Sequence, residues 1–199
     1  TWLRRQRQMC IRDRFYKYII FHYPRVSMRK SFNEKYDQVQ WRNNEEDFIA
    51  WTKGETGFPI IDAAIKQLLN AGWMHNRLRM IVAMFLSKNL LIDWKRGEEF
   101  FMQNLIDGDH ASNVGGWQWS ASTGVDAAPY FRIFNPITQS EKFDKEGLFL
   151  KHYLPNLESL SSKEIHNPST KLRKEFNYPM PITDLSSSRK RAIEVFSKI

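Results

Sequence analysis

The sequence predicts an all-α domain with long ordered loops between its helices. Apolar residues recur at three- and four-residue spacing in several stretches, β-type alternation is scarce, and capping residues, prolines and glycines bracket the periodic stretches. Residues 14–22 (RFYKYIIFH) form a short aromatic helix stopped by Pro24. Residues 25–43 are polar and irregular. Asn44 can cap a helix over 45–52, where Glu45, Glu46 and Asp47 suit the positive end of the helix dipole, and Gly54 and Gly57 break it. Pro59 suits a first helical position. Ile61, Ala64, Ile65, Leu68 and Leu69 then share a face up to Gly72. A helix from His75 to Leu91 is apolar on most sides and so belongs at the centre. Another spans 95–106, with Phe100, Phe101, Leu105 and Ile106 inward. Residues 107–143 hold four of the nine glycines and read as one long functional loop. A helix over 144–154 ends at Pro155, 155–183 is a loop with four prolines, and 184–197 is a last amphipathic helix.

Composition bounds what such a domain does. The chain has 199 residues, 42% hydrophobic and 26% charged, which is a globular balance. One cysteine, Cys10, excludes a disulfide framework or a multi-cysteine zinc site. The apolar run Met80–Leu86 falls well short of the roughly 18 residues of a membrane span, and no apolar leader region opens the sequence, so a cytoplasmic protein is expected. The net charge is +8, but residues 1–30 hold nine Lys and Arg against one acid, Asp13, and the remainder is balanced. Basicity is therefore local, and it is a weak pointer to nucleic acid. Aromatics make up 14% of the chain and seven are Trp, which calls for a large core or a site that uses the rings.

Three segments stand out: GWMHNRLRM (72–80), IDGDHASNVGGWQW (106–119) and FRIFNPITQSEKFD (131–144). Asn76, Arg79 and Met80 share a helix face, while Arg77 points elsewhere. A buried Arg79 needs an anion, which Asp107 or Asp109 can supply. The alternatives are a structural Arg–Asp pair or a polar pocket in a helical core. Gly115 and Gly116 let backbone approach a flat ligand closely, and Trp117 and Trp119 offer stacking surfaces; the alternative is a structural turn with core indoles. The Asp107–Asp109 pair lacks a phosphate-cradling loop with Lys, so no metal is expected. His75, His110 and Cys10 form no nucleophile–base set, which argues against a hydrolase.

Together the three segments resemble the C-terminal FAD-binding helical domain of the DNA photolyase and cryptochrome family, with the closest likeness to bacterial class I cyclobutane pyrimidine dimer photolyases. The likeness covers about residues 14–180. It implies light-driven repair, in which excited reduced FAD passes an electron to a pyrimidine dimer flipped out of damaged DNA. By the same resemblance, Asp107, Gly108 and Asp109 lie at the FAD, Arg79 pairs with Asp107, and Asn113 faces flavin N5. Trp117, Trp94 and Trp41 match an electron relay to the flavin. Asn76, Met80 and Trp119 match the lesion pocket, and Leu78 is likewise expected at the DNA or dimer. Arg77, Gln139 and Lys142 match positions at the DNA backbone. A bacterial, cytoplasmic monomer without membrane contact is implied.

The likeness also sets limits. Such proteins carry an N-terminal α/β domain with an antenna chromophore and early helices that hold the FAD phosphates, none of which this sequence includes. The isolated chain is therefore expected to retain FAD weakly and to be inactive alone. Residues 1–13 (TWLRRQRQMCIRD) are unmatched: Met9 and Arg12 stand where Glu and Trp are usual, which marks a candidate non-native end ahead of a domain over 14–199. Two rival readings are a cryptochrome-like FAD photoreceptor without repair activity and a flavin-free DNA-binding fragment.

Overall fold

The computed structural model describes residues 14–199; residues 1–13, the candidate non-native end, lie outside the described residues. Ten α-helical segments and no β-strand occur among the described residues. Helix α1 is described over 14–22. α2 (Glu45–Lys53) starts where Asn44 accepts a hydrogen bond from the Asp47 amide and ends at Gly54, whose φ of 66° is left-handed. α3 (Pro59–Ala71) is the central rod: Ile61, Ala64, Ile65 and Leu68 are fully buried along one face. α4 (Asn76–Met84) and α5 (Trp94–Asn104) follow, then α6 (His110–Ala121), α7 (Pro136–Phe143), α8 (Leu148–Tyr153), α9 (Thr170–Glu175) and α10 (Leu185–Ser197). α3 packs against α2, α4, α7 and α8, and α6 packs against α4 and α5. No helix among the described residues is long and apolar enough to cross a membrane.

Four expectations from the sequence need correction. The loop over 107–143 instead contains α6 and α7. The glycine pair hid α6, because each glycine lowers helix propensity by about 1 kcal/mol and tertiary packing overrides that cost. Gly115 is needed there: a Cβ on it would stand 2.1 Å from the Tyr16 ring of α1. The helix expected over 75–91 is α-helical only to Met84; Phe85–Asn89 is a π-helical turn, and Leu91 has φ 54°. The region 155–183 holds a 3₁₀ turn at Pro155–Leu157 and α9. Ile106 is 83% exposed rather than inward, with its Cγ2 lying over Gly72.

Close packing of α5 on α6 has a testable consequence. A Cβ on Gly97 would lie 2.1 Å from Trp117 Cη2 and 2.6 Å from Leu86 Cδ2. Gly97→Ala gains helix propensity but overpacks the core, and a net loss of about 2 kcal/mol is expected. Urea unfolding checks this, and a stability equal to wild type contradicts it. Gly97→Ala combined with Trp117→Phe should cost less than the two single changes added, since both act on one contact.

Candidate functional site

The site is assembled at the N-terminal ends of α4 and α6. His75 caps α4, its Nδ1 accepting from the Arg77 amide. Asn76 and Met80, one turn apart, are in contact, with Nδ2 3.8 Å from Sδ. Arg79 reaches to the α5–α6 connection: Nε donates to the Met74 carbonyl at 2.7 Å, and Nη2 donates to both oxygens of Asp107 at 2.8 and 2.9 Å. The sequence reading expected a buried arginine. The pair is instead at the surface, with side chains 26% and 45% exposed, so its part is to join α4 to the α6 entry rather than to neutralise an interior charge. Leu78, expected at the DNA or dimer, instead packs against the main core as an apolar side chain one turn from Ile81 and Val82.

Arg77 does point elsewhere. Its guanidinium lies 4.8 Å from the centre of the Phe143 ring on α7, and Lys142 Nζ lies 5.5 Å from the same ring. Phe143 is half exposed, so two cations are gathered on one aromatic plate at the surface. Gln139 precedes Lys142 by three residues and shares its side of α7.

At α6 the capping residue is Asp109, which accepts from the amide of Ser112 at 3.0 Å and from its hydroxyl at 2.8 Å. The Ser112 amide bond, together with Lys17 at 3.5 Å, holds this carboxyl below the usual carboxylate range, so it stays ionised. One turn on, Asn113 Nδ2 donates to both the carbonyl and Oε1 of Glu98, each at 2.9 Å. Both amide hydrogens are thereby used, and the side-chain carbonyl of Asn113 can only accept. Burial pushes the Glu98 carboxyl up. Gly116 follows three residues later, and a Cβ there would meet nothing within 4 Å. Of the glycine pair, then, Gly115 is filled by Tyr16 and only Gly116 leaves open surface. Trp119, partly exposed, comes three residues after Gly116.

The three relay candidates differ in depth. Trp117 and Trp94 are buried and Trp41 is partly exposed. Trp117 lies against Gly97, three residues after Trp94 on α5. Arg42, next to Trp41, donates its amide to the Leu91 carbonyl, three residues before Trp94. Trp41 packs edge-on against Phe196 at 5.9 Å. Trp117 is therefore a core ring and not an exposed stacking plate, with Phe101 at 5.0 Å and Trp51 at 6.2 Å. Sequence reasoning missed Glu98, Phe143 and Trp51. Glu98 carried a usable signal: it stands three residues before Phe101 on the inward face of α5, an acid on an apolar stripe.

These groups suit a flavin. Its ring N–H groups need acceptors, and the Asn113 carbonyl and the Asp107 and Asp109 carboxyls are groups of that kind. Its flat face needs a side-chain-free surface, which Gly116 leaves open.

Known proteins give the same direction. The sequence model of the family described as the FAD binding domain of DNA photolyase matches residues 5–198. The deoxyribodipyrimidine photo-lyase of Escherichia coli K12 is 50% identical over 185 residues, covering 92% of this chain and 39% of that protein. Among solved structures, a class III photolyase from Agrobacterium tumefaciens superposes with TM-score 0.91 at 44% identity, covering 98% of this chain and 42% of that one. A Synechocystis cryptochrome superposes with TM-score 0.84 at 34% identity, covering 92% and 39%. The chain spans 32% to 41% of the length of the first three curated relatives it matches. With a family match over nearly its whole length, the chain belongs to the FAD-binding domain family of the DNA photolyases.

Proposed function

We propose that this chain forms the flavin- and lesion-facing part of a deoxyribodipyrimidine photo-lyase that repairs cyclobutane pyrimidine dimers in DNA under light. The observation that carries the reading is the Arg79–Asp107 bridge. It sets the Asn76–Met80 side of α4 beside the acid-lined entry of α6, so that flavin acceptors and lesion contacts adjoin. Bound in its reduced form, FAD would supply a light-excited electron that opens the cyclobutane ring and then returns to the flavin.

The residues of the chain supply binding and orientation. Asp107, Asp109 and the Asn113 carbonyl accept from the ring and ribose, and Gly108 leaves the connection between the two acids without a side chain. Asn113 presents only an acceptor, which favours a protonated N5 over a bare one. Asn76, Met80 and Trp119 receive the flipped dimer, whose extrusion costs a few kcal/mol. Arg77, Gln139 and Lys142 take the DNA backbone, with the two cations already gathered on Phe143. Trp41, Trp94 and Trp117 restore the reduced state by relaying electrons inward, a reading supported by a partly exposed Trp41 and two buried indoles, Trp94 and Trp117. The protein works as a monomer in the bacterial cytoplasm, with an antenna chromophore on another part of the enzyme.

A hybrid tests this, with residues 14–199 replacing the matching segment of the Escherichia coli protein. It is expected to show visible flavin absorbance and to split dimers in an oligonucleotide under blue light and not in the dark. Arg79→Ala should weaken FAD retention about tenfold, equivalent to about 1.4 kcal/mol. Bound, reduced FAD without repair would shift the assignment to a cryptochrome-like photoreceptor. A hybrid that folds and binds dimer DNA but holds no flavin would favour a flavin-free DNA-binding domain.

A further inference from the structure

The π-helical turn Phe85–Asn89 carries three consecutive buried polar side chains, each aimed at a different partner. Ser87 turns back to the Ala83 carbonyl, and Asn89 Nδ2 donates to Ser188 on α10 at 3.0 Å. Between them Lys88, fully buried, extends its ammonium to the connection between α6 and α7. Its Nζ donates to the Ser122 hydroxyl at 2.6 Å and lies 3.3 Å from the Pro129 carbonyl, 3.3 Å from that of Tyr130 and 3.2 Å from that of Arg132. Ser122, left-handed at φ 66°, passes its own hydrogen to the Ala128 carbonyl. One cation thus gathers both ends of the 122–132 turn.

An ammonium with three hydrogens among four oxygens is well matched, whereas buried carbonyls facing an apolar side chain would be left without donors. Burial is costly to the charge and pulls the Lys88 pKa down to about 7. A buried cation held without a carboxylate partner is unusual, and these oxygens are what compensate it. The gathered segment bears no helix or strand of its own, yet it joins α6, with Trp119, to α7, with Gln139 and Lys142. Its shape therefore sets the separation of those two groups of residues.

We propose that Lys88 is a positioning residue that locks the 122–132 connection and so fixes α7 relative to α6. The consequence for grip on a DNA backbone rests on the function proposed above. Lys88→Met removes the charge at similar volume. Amide hydrogen exchange on the 199-residue chain should rise about tenfold or more over 122–132 and remain unchanged in α3. Spin labels at Gly116→Cys and Glu141→Cys, placed with Cys10→Ser, should give a distance distribution broader than in the Lys88 parent. If Lys88→Met does not fold, Ser122→Ala, which removes one of the four oxygens, should show the same changes to a smaller degree. Exchange and distances equal to the parent in both variants overturn the proposal.

Binding to a dimer-containing duplex separates positioning from charge. Lys88→Met should weaken affinity with the salt slope unchanged, because the ammonium contacts no phosphate. Lys142→Ala should reduce the slope by about 0.9 for one lost phosphate contact. A reduced slope in Lys88→Met would make it a direct contact and overturn positioning. A parent that binds no duplex overturns the DNA reading, while exchange and distances still decide the role of Lys88.

Discussion

Trp117→Ala should destabilise the domain by about 3–5 kcal/mol, while Trp117→Phe should keep the fold and reduce photoreduction of a bound flavin to its dark level. The first expectation is a packing argument. Trp117 is buried among Phe101, Trp51, Gly97 and Leu86, and Gly97 exists in its present form because the indole occupies the space a Cβ would need. Removing the ring leaves a cavity between α5 and α6 that Gly97 cannot fill, and aromatic-to-alanine changes of this kind cost about that much. The second expectation follows from the proposed relay. Phenylalanine retains most of the volume but is far harder to oxidise than indole, so electron delivery stops while packing persists. Chemical denaturation reads the first effect; flavin bleaching under light in the hybrid reads the second. Undiminished photoreduction in Trp117→Phe would remove Trp117 from the relay. Trp51, in edge contact at 6.2 Å, would then be the next indole to substitute.

Asp62→Ala is expected to be as damaging, with a loss of about 3–5 kcal/mol, and for a different reason. Asp62 is fully buried on α3 and accepts four hydrogen bonds: from the Thr56 amide at 2.7 Å, the Thr56 hydroxyl at 2.6 Å, the Gly57 amide at 3.0 Å and the Tyr178 hydroxyl. Burial, with the Asp62 charge beside it, holds Tyr178 well above its ordinary value, so that hydroxyl remains a donor. Arg173, also buried, donates to the Gly57 carbonyl at 2.8 Å and to the Pro179 carbonyl at 2.7 Å. The knot ties the α2–α3 connection to the segment after α9. Alanine leaves four donors without an acceptor inside the protein, and the segment from 168 to 182 should become sensitive to limited proteolysis. Arg42→Ala, which breaks an ion pair with Asp47 at 2.6 Å, serves as the contrast. That arginine is 39% exposed, so the change should cost under about 1 kcal/mol. A loss below about 1 kcal/mol for Asp62→Ala would show that the knot is not a stabilising element.

Legibility in the sequence followed the range of the interactions. α2, α3 and α10 were readable because their signals are local: Asn44 before an acidic turn, Pro59 and Gly72 around an apolar stripe, and the amphipathic pattern of the last helix. The three segments that carry the candidate site were also visible as motifs, since Asn, Arg, Asp and Gly are out of place in apolar surroundings. α6 was not readable, because Gly115 is explained only by Tyr16 and the Trp117 indole only by Gly97, both on other helices. Lys88 lies within the stretch expected to be an apolar helix and carried no local signal of its role. Its partners lie more than thirty residues ahead, beyond the reach of any periodicity.

By itself, then, the sequence determined the helical class, the family and the chemical types grouped in each segment, because capping, periodicity and motif spacing are properties of neighbouring residues. Tertiary structure alone decided which of those groups meet. It turned the glycine pair into one packing notch and one open patch, and it brought Arg77 and Lys142 onto a single aromatic ring. It also moved the Arg79–Asp107 pair from an imagined interior to the surface. The physical reason is common to all three. Steric fit and solvent exposure depend on what the rest of the chain brings alongside a residue, and close-packed interiors leave little freedom in that arrangement.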